Sequence, residues 1–168
     1  AKVIPFGVDT TEFHSVGQQE AREQLGLHPK RKFVLFPWNP ARSVKRFDII
    51  EECMQILKST DPEIELVVIF DRPHTEVMLY MNACDVMVLA SDHEGSPVAV
   101  REALACGLPV VSVDVGDVKN LLSTGSNGVI VERDPAAFAE AIIRVINQGI
   151  EKVSETTKEL YTNLDASE

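Results

Sequence analysis

Two carboxylates stand eight positions apart in Glu94-Gly95-Ser96-Pro97-Val98-Ala99-Val100-Arg101-Glu102. Glu94 follows the apolar run Val86–Leu89, and Glu102 falls about two turns into a helix predicted over Pro97–Cys106. A helix N-terminus presents free N–H groups and a positive dipole end, so Ser96–Val98 is a ready phosphate site. The small pair Gly95-Ser96 lets a ligand approach the backbone closely. A carboxylate at 102 can accept hydrogen bonds from sugar hydroxyls. The bland alternative is a capped helix start carrying surface carboxylates.

The second chemical feature is basic. From Lys30 to Arg46 there are Lys30, Arg31, Lys32, Arg42, Lys45 and Arg46, with no acidic residue among them. The whole chain is acidic, with 16 Lys+Arg against 26 Asp+Glu and a formal net charge of −10. That balance argues against non-specific nucleic-acid binding and against an anionic membrane surface. A basic segment inside an acidic protein suits a small anion. Lys30–Lys32 reads as ordinary solvated charge, whereas Arg42, Lys45 and Arg46 follow a strand-like run.

These residues need elements to hold them. Five continuous apolar runs, Phe33–Phe36, Leu66–Phe70, Val86–Leu89, Val110–Val113 and Val129–Val131, read as strands buried on both faces. Helical spacing is predicted over Val44–Lys58, His74–Cys84, Pro97–Cys106 and Pro135–Asn147, with a short helix at Glu20–Leu25. Asp134 is a plausible N-cap, and Gly107 with Pro109 ends the helix before it. Alternating strands and helices imply an α/β, Rossmann-like, doubly wound parallel sheet flanked by helices. Ligands in such domains bind outside the carboxyl ends of the strands. The loops to inspect are therefore Pro37–Lys45, Phe70–Thr75, Ala90–Pro97 and Asp114–Lys119.

The 168 residues suffice for one domain with a real core. No apolar run reaches the roughly 18 residues of a membrane span. The chain opens on Ala1 rather than Met and shows no signal-peptide pattern, which reads as a piece of a longer protein. Cys53, Cys84 and Cys106 are odd in number, far apart and set in apolar stretches, as core residues would be. The four histidines have no ligand spacing, and no metal site is expected.

The stretch from Glu94 to Val111 resembles the E-x7-E signature of retaining glycosyltransferases of the GT-B fold, family 4. Val3–Phe13 is similar to the segment where the carboxyl domain of those enzymes begins. Ala83-Cys84-Asp85 through Ser91, Asn127-Gly128 and Pro135–Ile143 resemble further family segments. The combination of N-P-x-R-x-x-K-R with H-E-G-S-P resembles the teichuronic-acid type, which builds surface polysaccharides. The resemblance implies one half of a GT-B fold. Residues 1–15 would be an interdomain linker and first strand, 16–149 the donor-binding domain, and 150–168 a polar carboxyl-terminal helix or tail.

The same resemblance implies roles by position. Lys45 matches the lysine that binds the donor diphosphate. The arginine that usually accompanies it would fall near Pro40, so Arg42 takes its place, with Asn39 in the same loop. A forked guanidinium and a point-charge ammonium would clamp a pyrophosphate. Gly95, Ser96, Pro97 and Val98 would supply backbone contacts, less one because Pro97 has no N–H. Glu102 would hold the ribose hydroxyls, and Glu94 would lie beside the transferred sugar as the catalytic carboxylate. Arg46 and Arg101 read as surface residues, and Asp117 as a helix cap.

Two departures bear on specificity. The family's G-x-G loop after the second strand is replaced by Phe70-Asp-Arg-Pro-His-Thr75, leaving Asp71 and Arg72 as candidates near the base. Gly116 would give a tight turn near the donor. The implied protein is a hexosyltransferase that uses a nucleotide-sugar, with no cofactor and no metal. Its acceptor would sit on a missing amino-terminal domain, and the isolated fragment would be inactive. Its place would be the cytoplasm, with peripheral membrane contact through the full-length protein. The alternatives are a stand-alone nucleotide- or sugar-binding or interaction module without catalysis, a sugar-nucleotide epimerase or phosphorylase, and a receiver-type domain. The last wants an acidic cluster where this chain has Pro37–Arg42.

Overall fold

A computed structural model describes residues 7–123 and 127–148. The chain forms α1 (Gln18–Leu25), β1 (Lys32–Phe36), a 3-10 turn (Ser43–Lys45), α2 (Phe47–Thr60), β2 (Ile64–Val68), α3 (His74–Ala83) and β3 (Val86–Leu89). It continues through α4 (Val98–Ala105), β4 (Val110–Ser112), α5 (Val118–Ser123), β5 (Gly128–Ile130) and α6 (Pro135–Gln148). All strand pairs are parallel, in the order β2-β1-β3-β4-β5. The sheet is doubly wound, as the alternating pattern predicts. Helices α2 and α6 pack together on one face, while α3 contacts α1 and α4 on the other.

Burial explains why the apolar runs are continuous. Every residue of β3 and β4 is buried, because both strands lie inside the sheet with helices above and below. The edge strands β2 and β5 are mostly half-buried. Side chains of Phe33, Phe36, Leu57, Met87, Leu104 and Phe138 fill the core. All three cysteines are buried free thiols, and burial pushes the Cys53 thiol up to about 12. Burial pushes the Cys84 thiol up as well, so Cys53 and Cys84 are core residues with no thiolate to offer at neutral pH.

Several boundaries differ from expectation. Strand β2 is Ile64–Val68 rather than Leu66–Phe70, so Phe70 lies in a loop. The helix predicted from Val44 begins at Phe47, because Arg46 adopts a left-handed conformation (φ 52°) that separates the 3-10 turn from α2. Pro97 is the N-cap of α4 rather than its first residue. Asp134 does cap α6, its carboxylate accepting the Ala137 N–H at 2.9 Å. Residues 7–15 form a turn around Asp9–Phe13, not a strand. Residues 1–6 of the expected linker and the tail 150–168 lie outside the described residues.

The candidate donor site at the sheet switch point

In the order β2-β1-β3-β4-β5 the connections reverse direction between β1 and β3. Ligand crevices of doubly wound sheets open there, outside the carboxyl ends. The loops after β1 and β3 bring Lys45 and Glu94 together at that point. The Lys45 Nζ donates to Glu94 Oε1, which also accepts the Ser91 Oγ at 2.8 Å. Lys45 is only 6% exposed. Its ammonium lies 4.8 Å from the Trp38 ring centroid, and that ring sits edge-on against Phe36 at the end of β1. A buried lysine is tolerable because it has a carboxylate and an aromatic face as partners.

Both sides of this loop pair are braced. The Asp92 N–H donates to the Val44 carbonyl at 2.9 Å, tying the β3 loop to the 3-10 turn. Arg46 bridges Asp48 and Asp92, at 2.9 Å and 3.1 Å. Arg133, between β5 and α6, donates to the carbonyls of Ala90 (3.2 Å) and Ser91 (2.7 Å). These contacts fix the backbone from which Glu94 projects.

The start of α4 is organised by a second ion pair. Arg101 is 7% exposed, and its guanidinium pairs with the Asp117 carboxylate. The Ser96 Oγ donates to Asp117 Oδ2 at 3.0 Å and accepts from Arg101 at 3.3 Å. Arg101 is therefore buried rather than at the surface. The Asp117 side chain does not serve as a helix cap: its Oδ2 is held by Arg101 and Ser96, and its Oδ1 is buried without a hydrogen-bond partner. Gly116 has φ 54°, and a Cβ there would lie 2.2 Å from the Gly95 carbonyl oxygen. The loops after β3 and β4 thus interlock backbone to backbone. Gly95 is exposed and a Cβ on it would meet nothing within 4 Å. The N-terminus of α4 has no side-chain cap, and Val98 at its first position is exposed. The Val100 N–H is taken by the Pro97 carbonyl at 3.1 Å, which leaves the amides of Val98 and Ala99 to face an anion.

Arg42 lies exposed at the N-cap of the 3-10 turn that ends in Lys45. Asn39 shapes the same loop, its Oδ1 accepting the Ala41 N–H at 2.9 Å. Glu102 lines a separate stretch of the crevice, a cleft of about 310 Å³ shared with Pro37, Phe70, Asp71, Arg72 and His74. Burial pushes the Glu102 carboxyl above its ordinary value; the His74 charge opposes the shift and Glu12 adds to it. Asp71 and Arg72 line this cleft together with Glu102. Arg72 also pairs with Glu76 at 3.5 Å.

Sequence reasoning did not single out Trp38, Arg133 or Phe70. Trp38 is the single tryptophan, in a loop already under suspicion, and that was an available signal. Arg133 carried none, since its partners, the Ala90 and Ser91 carbonyls and the Asp92 carboxylate at 3.7 Å, lie some forty residues away. Phe70 reads in the sequence as the shared end of an apolar run and start of a loop, with nothing local to show that its ring stays exposed.

The model of the glycosyl transferases group 1 family matches residues 48–148, more than half of the chain. The chain belongs to that family, and its sheet is one half of a GT-B fold. It is 29% identical over 181 residues to TuaC of Bacillus subtilis (strain 168), named as a candidate teichuronic acid biosynthesis glycosyltransferase. That match covers 99% of this chain and 46% of TuaC. Among solved structures it resembles a sucrose-phosphate synthase from Thermosynechococcus elongatus, with TM-score 0.78 and 21% identity over 97% of this chain and 48% of that one. It also resembles Anabaena Alr3699/HepE, solved with UDP and glucose, with TM-score 0.67 and 21% identity over 98% of this chain and 51% of that one. The chain thus spans about half the length of these three proteins. Among the described residues no helix is long and apolar enough to cross a membrane.

Proposed function

We propose that this chain is the nucleotide-sugar donor-binding domain of a retaining glycosyltransferase, transferring a hexosyl group to a glycan or lipid-linked acceptor. The observation that carries this is the meeting of Lys45 and Glu94 at the switch point, beside the uncapped start of α4. A departing diphosphate needs its charge stabilised as the bond to the sugar breaks. Lys45, Arg42 and the α4 amides supply positive potential there with no metal in the scheme. Glu94 lies against the cation that meets the diphosphate, so its carboxylate borders the sugar attached to it. Glu102, in the adjoining cleft, accepts hydrogen bonds from the ribose hydroxyls.

Support from relatives is consistent in kind. HepE shares the fold and was solved with UDP and glucose. TuaC is named for teichuronic acid biosynthesis, which favours a glycan acceptor. In this reading residues 16–149 are the donor domain, the acceptor is held by a preceding domain of the full-length protein, and the isolated chain binds without turnover. The enzyme works in the cytoplasm, meeting the membrane only peripherally.

The test is calorimetric titration of the chain with UDP, GDP, ADP and dTDP at low salt, beside Lys45→Ala and Glu102→Ala. One diphosphate should bind, and each substitution should weaken it about tenfold or more, the scale of a charge-assisted hydrogen bond. Binding unaffected by either substitution sinks the site. No binding by the chain or by the full-length protein favours a module without catalysis.

A further inference from the structure

Phe70 is 43% exposed, although it ends an apolar run. The loop that carries it is short and held at both ends. The Ile69 N–H donates to the Phe36 carbonyl at 3.1 Å, and Pro73 caps α3. Between them Asp71 takes a left-handed conformation (φ 52°) that non-glycine residues disfavour. The loop therefore presents Phe70 to the 310 Å³ cleft instead of folding it into the core. Two rings line that cleft. His74 is already engaged, by Glu12 at 3.0 Å and by the Phe13 ring at 5.7 Å. Among the described residues Phe70 makes no ring contact.

We infer that Phe70 is the stacking face for the base of the nucleotide, a place this chain fills with an aromatic side chain. The inference rests on the donor-binding reading above. Glu102 lines the same cleft, so a ribose held there delivers its base within the reach of Phe70. Every base has a π-face, so a stack of this kind is tolerant of base identity. Base choice then falls to polar groups at the rim, of which Asp71 and Arg72 are the nearest in sequence.

The experiment titrates the chain with UDP, GDP, ADP and inorganic pyrophosphate, as wild type, Phe70→Ala and Phe70→Tyr. Phe70→Ala should lose about tenfold in affinity for every nucleoside diphosphate that binds, the size of one base–aromatic stack. Its affinity for pyrophosphate should be unchanged, and Phe70→Tyr should match wild type. Nucleotide binding that falls with Lys45→Ala but not with Phe70→Ala overturns the stacking role alone. Equal losses for pyrophosphate and nucleotide in Phe70→Ala overturn it too, since they show a general distortion. Failure of both the wild-type chain and the full-length protein to bind pyrophosphate or nucleotide removes the donor reading and this inference together.

Discussion

Glu102 is half-buried in its cleft, and desolvation raises its pKa above the ordinary 4.5. The folded protein therefore holds this proton more tightly than the unfolded chain does. The associated stability is complete below pH 4.5 and is lost as pH rises through the raised value. Glu102→Gln has no such proton to lose. Urea midpoints from about pH 4 to about pH 7 should fall for wild type relative to Glu102→Gln. Parallel curves for the two proteins would show that burial at this position costs nothing. Lys45 and Glu94 illustrate the opposite solution at the same scale. Their charges are desolvated together, and each satisfies the other. The types of both residues were legible from their spacing and family resemblance; the contact between them was not.

At the scale of elements, the site depends on how two loops share space. Gly116 can approach the Gly95 carbonyl only because it lacks a Cβ and adopts φ 54°. Gly116→Ala must shift the loop after β4 away from Glu94–Ser96. The left-handed conformation alone costs about 1–2 kcal/mol for a residue with a Cβ, before any clash. For a domain of this size that lowers Tm by about 2–8 °C. Gly95→Ala meets open space and should leave Tm nearly unchanged. Thermal melts of the two variants side by side check this, and equal melting temperatures would refute the interlock. A glycine's presence is visible in sequence, but which of two neighbouring glycines is sterically required is not.

At the scale of the molecule, the site end and the opposite end of the sheet use polar groups differently. Before β1 and β3, the Asp85 carboxylate accepts from Arg22 at 3.0 Å, from the Phe33 N–H at 2.7 Å and from Gln18 at 3.3 Å. Arg22 also donates to the carbonyls of Ala83 and Pro29, and it is 3% exposed. This cluster joins α1 to the start of the two central strands. Asp85→Ala leaves a buried guanidinium without its counter-charge, a loss of about 3–5 kcal/mol. Arg46→Ala, which removes exposed pairs, should cost no more than about 1 kcal/mol. Urea unfolding of both variants measures the contrast, and a mild Asp85→Ala would show that water reaches Arg22.

Strand and helix order were determined by the sequence itself, because burial on both faces forces continuous apolar runs and helical spacing marks the covers. The candidate site residues stood out for a related reason: Lys45 and Glu94 follow the ends of β1 and β3, and Glu102 lies within the helix after β3, at the positions the family resemblance marks. Tertiary structure alone decided the rest. It buried Arg101 against Asp117, set Arg133 on the carbonyls of the β3 loop, and left Phe70 exposed beyond the end of β2. Each outcome depends on a partner distant in sequence or on where a strand stops pairing. Local patterns carry no information about either, because both are settled only when the sheet closes.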